Sequence, residues 1–76
     1  MKVHELLDSP EKWWDGSSPK NSRECLYTGI LKCYSPHSSD KILRKVRTSL
    51  GTGSISNWND SHTWQEVHDL CRELDI

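Results

Sequence analysis

Four tryptophans, at positions 13, 14, 58 and 64, limit what this chain can become more than any other feature. Only 33% of its 76 residues are apolar, and each buried indole removes roughly 150–250 Å² from water. A chain of this length supports a single domain, residues 1–76, around one core. A core so poor in other apolar material predicts that most of the tryptophans are buried. Trp13 and Trp14 are neighbours, about 100° apart on a helix, so one of them is expected at a seam or in solvent. Exposed tryptophans anchor protein interfaces, which makes Trp13 and Trp14 the candidate protein-binding residues.

Apolar spacing and turn signals predict about four short, angled helices in an all-α domain. Val3, Leu6 and Leu7 share a face at the start, and Ser9-Pro10-Glu11 reads as a cap and first turn that runs to Trp13-Trp14 and stops at Asp15-Gly16. Ser17 to Lys20 reads as a loop. Asn21 and Glu24 resemble a capping pair for a helix over 22–34, with Cys25, Leu26, Gly29, Ile30 and Cys33 on its buried side. Ser39 or Asp40 is the expected cap of a third helix over 40–50, whose stripe is Ile42, Leu43, Val46 and Leu50 and whose stop is Gly51. Residues 52–60 read as turn, with a short strand at 54–57 as the alternative. Thr63 and Glu66 form the strongest capping box, opening a helix over 64–74 with Trp64, Val67, Leu70, Cys71 and Leu74 inward.

The charge balance excludes a strong global field. Ten Lys and Arg against eleven Asp and Glu leave a net charge of −1, which draws the chain neither to nucleic acid nor to an anionic membrane. The opening residues lack the apolar run of a signal peptide, and nothing approaches the ~20 apolar residues of a membrane span. Three cysteines do not make a disulfide framework. The expected setting is the cytoplasm.

The residues that could carry chemistry are scattered. His4, Cys25, Cys33, His37, His62, His68 and Cys71 could supply metal ligands, and His68 and Cys71 stand one helical turn apart, but no Cys-x-x-Cys pair accompanies them. Asp60-Ser61-His62 contains the residue types of a hydrolytic triad, yet adjacent residues cannot form its relay. Gly51-Thr52-Gly53-Ser54 lacks the ending of a phosphate loop. Glu66, Asp69 and Glu73 read as a solvated stripe. No catalytic, cofactor or metal residue is assigned, and no enzyme is expected. The cluster Lys41, Arg44, Lys45 and Arg47 is the one feature favouring nucleic acid.

Several of these pieces carry a resemblance. Trp14-Asp15-Gly16, the Cys25-Leu26-Tyr27-Thr28-Gly29-Ile30 stretch, and Trp58-Asn59-Asp60 with Thr63 and Val67 resemble the motifs of an uncharacterised family of small bacterial and phage helical proteins, a domain of unknown function. Tyr27 and Thr28 depart from that pattern, where small apolar residues are usual. The resemblance implies an all-α fold and assigns no activity. Read physically, Trp58, Asn59, Asp60 and Thr63 make a structural corner, in which an Asx-turn holds Trp58 against the core. The functional expectation is a small non-enzymatic binding or regulatory protein acting through protein–protein contacts. The alternative is a nucleic-acid accessory protein using the Lys41–Arg47 face, and the third reading is a small metal-binding module.

Overall fold

The computed structural model describes residues 1–17, 20 and 22–76. The elements are α1 (Val3–Leu6), a 3-10 turn (Pro10–Lys12), α2 (Leu26–Cys33), α3 (Pro36–Leu50), α4 (Ile55–Asp60) and α5 (Trp64–Leu74). The domain is all-α. Among the described residues the one β-type pairing is an isolated parallel bridge between Trp13 and Glu24.

The core is aliphatic, not aromatic. Val3, Leu7, Leu26, Ile30, Val46, Val67 and Cys71 are fully buried, while all four tryptophans are half-buried around them. The expectation of buried tryptophans is therefore corrected, and the reason is the polar handle of the ring. The indole N–H of Trp64 donates to the carbonyl of Leu7 at 2.8 Å and that of Trp13 to Asn59 at 2.7 Å. Both nitrogens meet an acceptor, and the carbon of the Trp13 ring, like that of Trp58, packs against the core. The indoles form a rim over an aliphatic centre.

Helix α2 is the hub, packing against α1, α3 and α4. Gly29 on α2 faces α1: a methyl group there would meet Val3, Leu6 and Leu7 at 3.5–3.7 Å, an ordinary contact distance. Helix α5 closes the other side of α1, and the segment after it returns under the start of the chain. There the backbone N–H of Val3 donates to the carbonyl of Ile76, and Lys2 pairs with Asp75.

Helix starts differ from the sequence expectation where non-local contacts intervene. Helix α2 begins at Leu26, not at 22. Ser22 sits at φ +67°, a left-handed conformation that a helix cannot contain. Glu24 is held by the segment before the loop: its N–H donates to Lys12 O at 2.9 Å and its carbonyl accepts from Trp14 N at 3.0 Å. The expected Asn21 cap and the Ser18-Pro19 part of the loop lie outside the described residues. The Glu24 side chain is buried, which alone would push its carboxyl up; hydrogen bonds from Lys32 and Thr28 and the charge of Lys20 outweigh this and hold it below the usual range. Helix α3 begins at Pro36, four residues before the expected start. Ser35 is its cap, accepting from Ser38 N at 3.3 Å, and Pro36 takes the first helical position, where a missing N–H costs nothing. Ser39 is instead buried within the helix, donating to Pro36 O at 3.0 Å. Gly51 ends α3 at φ +67°, and the Thr63–Glu66 capping box opens α5, both in agreement with the sequence expectation.

The turn or strand expected around 54–57 is replaced by α4, capped by Ser54. This helix puts Asn59 at zero exposure. Its side-chain oxygen accepts from Trp13 Nε1 at 2.7 Å and from Leu26 N at 3.0 Å, and its NH₂ donates to Trp14 O at 3.0 Å and to Asp60 Oδ1 at 3.0 Å. The expected Asx-turn is instead the end of α4, which buries the Asn59 amide and leaves Trp58 packed against the core. Trp58 lies half-buried, stacked on His62 with ring centroids 4.1 Å apart.

This packing sets the expected cost of two substitutions and the sign of two more. Asn59→Ala strands a buried indole N–H, a helix-start N–H and a carbonyl, so it should cost about 3 kcal/mol or more in denaturant unfolding, against about 1–2 kcal/mol for Trp13→Phe. A loss under 1 kcal/mol for Asn59→Ala would remove it from this role. The two glycines should answer oppositely to alanine. Gly29→Ala gains up to about 1 kcal/mol of helix propensity because its methyl finds normal contacts. Gly16→Ala is destabilising, since Gly16 sits at φ +85° and its methyl would lie 2.7–2.9 Å from the Asp60 carboxylate.

Candidate functional site

The candidate residues fall into four places on this frame. Trp13 is committed to the fold through Asn59 and packs against the core. Trp14 is half-buried beside it, with its carbonyl taken by Asn59 and the Lys20 ammonium 5.8 Å from its ring centroid. Both rings keep partial exposure.

The cysteines and histidines are not brought together as a metal set: among the described residues no group of three or more His, Cys, Asp or Glu side chains is placed to hold an ion. His68 stacks on Trp64 at 5.0 Å and meets His4 edge-on at 6.3 Å. Cys71, one turn away, points into the core at zero exposure. Burial pushes its thiol up to about 12, so it stays protonated at neutral pH, and a metal ligand or nucleophile must be a thiolate.

Ser61 and His62 do touch, with Oγ 3.1 Å from Nδ1. The same Nδ1 lies 2.6 Å from the carbonyl of Trp58, which can only accept. Nδ1 therefore carries the proton, and Ser61 Oγ donates to that carbonyl as well, at 3.1 Å. A ring nitrogen already protonated cannot take the serine proton. The pair closes the end of α4.

The outer face of α3 is different. Lys41, Arg44, Lys45 and Thr48, at i, i+3, i+4 and i+7, line a shallow, widely open groove along one face of α3, whose surface is mostly carbon from the side-chain stems. Arg47 is exposed on the same helix but outside the groove. The ion pairs explain what is distinctive here. Lys2, Lys12, Lys20 and Lys32 all hold carboxylates, respectively Asp75, Asp8, Glu24 and Glu24 again. Among the described residues, no cation of α3 forms an ion pair. Lys45 donates to the carbonyl of Leu74 at 2.8 Å, a neutral acceptor that fixes the stem against α5. Thr48 is the member of this face that sequence reasoning missed, although its seven-residue spacing from Lys41 places it there.

Comparison with models of protein families, with curated proteins and with solved structures finds no match. A functional reading of this chain rests on the chemistry of the α3 face.

The burial of Cys71 yields a direct test. In the native protein at pH 8, Cys71 should resist a maleimide for as long as the fold persists, while half-buried Cys33 reacts sooner. All three thiols should react once denaturant is added, as read by mass spectrometry of the labelled peptides. Fast native labelling of Cys71 would contradict its placement.

Proposed function

We propose that this is a small, non-enzymatic binding protein that acts through protein–protein contacts, with the outer face of α3 as the contact surface. The observation that carries this reading is the asymmetry of the cations. Lysines elsewhere hold carboxylates within the chain, whereas among the described residues Lys41 and Arg44 form no ion pair, and Lys45 reaches the neutral Leu74 carbonyl with the charge of Asp75 nearby. Charged groups around apolar stem surface are the ingredients of a protein interface rim and centre. A cytoplasmic setting belongs to the same reading, supported by the odd cysteine count and by a thiol buried in the core. No helix among the described residues is long and apolar enough to cross a membrane.

The nucleic-acid alternative rests on the same cations. Four basic residues would give a salt slope of at most about −3 to −4 on a log–log plot.

A photoreactive residue placed at Thr48 in the native host should cross-link to a discrete protein. The same residue at Gln65, exposed on α5, should not. Lys41→Glu with Arg44→Glu should remove most of the Thr48 product, and no band shift should occur with duplex or single-stranded oligonucleotides at ~150 mM salt. Equal cross-linking from both positions would overturn the assignment of the surface. A shift at that salt, lost in the double variant, would favour nucleic acid.

A further inference from the structure

Resting on the reading of α3 as the contact surface, we infer that the groove takes an acidic, amphipathic helix of a partner protein. The outer face of α3 offers two chemistries, cationic head groups and the carbon of their stems. Lys41, Arg44 and Lys45 lie within a single turn, and Thr48 follows on the next turn. From Lys41 to Thr48 the rise is roughly 10 Å, two helical turns. A helix laid along this face presents residues three and four apart on one side. Two carboxylates one turn apart meet Lys41 and Arg44, while Lys45 stays on the Leu74 carbonyl and lends its stem. An apolar side chain on the following turn then rests on the stems beside Thr48 and removes that carbon from water.

The carbon floor separates this occupant from the others. A phosphate backbone answers the three cations but leaves the stems facing water. A second copy of the chain carries a matching acidic stripe on α5, Glu66, Asp69 and Glu73, at i, i+3 and i+7. That stripe has no apolar member, and two of its carboxylates are already engaged. Glu66 accepts from the N–H of Thr63 at 3.1 Å, and Asp69 from Gln65 at 2.8 Å. Exposed ion pairs alone associate weakly. An acidic helix that also brings an apolar residue satisfies both parts of the site.

The probe is a capped alanine-based helical peptide with glutamates one turn apart and a leucine on the next turn, titrated into the full ¹⁵N-labelled chain. Two twins accompany it, one with the leucine replaced by glutamine and one with the glutamates replaced by lysine. Amide shifts should be confined to residues 41–48. The acidic leucine peptide should bind at least ~10-fold more tightly than either twin, the ratio expected for burying one leucine. Lys41→Glu with Arg44→Glu should abolish the shifts at unchanged circular dichroism and Tm, since neither side chain supports the fold. Absence of α3 shifts at millimolar peptide, or equal binding of the glutamine twin, overturns the inference, as does tighter binding of a short duplex. Peptide failure with a persisting Thr48 cross-link overturns the acidic-helix occupant alone. Loss of both overturns the contact surface as well.

Discussion

A single buried amide holds the molecule in register. Asn59 is inaccessible to water, so every polar atom it carries must be satisfied inside the protein. It meets this demand by joining three places: the Trp13 ring, the Trp14 carbonyl and the first N–H of α2. The oxygen that accepts from Leu26 does for α2 what a capping side chain does from within the chain. Helix α4 exists, in this sense, to deliver that group. The bridge between Trp13 and Glu24 and the Gly16 turn beside Asp60 lie on either side of these contacts.

Much of the helical content is legible in the sequence because it rests on local rules. The Thr63–Glu66 box and the Gly51 stop act within one turn of themselves, and the stripes of α3 and α5 repeat often enough to be read. What escapes depends on partners far along the chain. Glu24 looks like a capping residue until residues 12–14 claim its backbone, and six residues ending in Asn-Asp carry too little periodicity to announce α4. The start of α3 is displaced for a different reason: Pro36 ends the preceding helix and also opens the next one, and only the first of these roles is plain in the sequence. The tryptophans mislead through size, because area argues for burial while the indole nitrogens require a place at the rim.

The candidate site is half visible from sequence. The basic spacing of α3 is there to read, but its significance is relational, because it depends on the other lysines holding carboxylates, two of them four residues away and two placed by the fold. Asp75 reaches Lys2 and Glu24 reaches Lys32 through the tertiary structure. A net charge of −1 therefore conceals a surface that is locally polarised. Thr48 acquires meaning only once the groove it completes is seen.

The span between Trp13 and Asn59 has a consequence for how the molecule comes into being. Helices α1 and α4 have four and six residues, well under the roughly 12–15 at which an isolated helix begins to hold in water. Neither persists without its docking partners. On a ribosome, the indole of Trp13 and the opening N–H of α2 emerge long before the residue that accepts both of them. Until Asn59 leaves the exit tunnel, the nascent chain holds its central helix without a seat. The seating of α2 therefore waits on a residue 33 positions further along the chain.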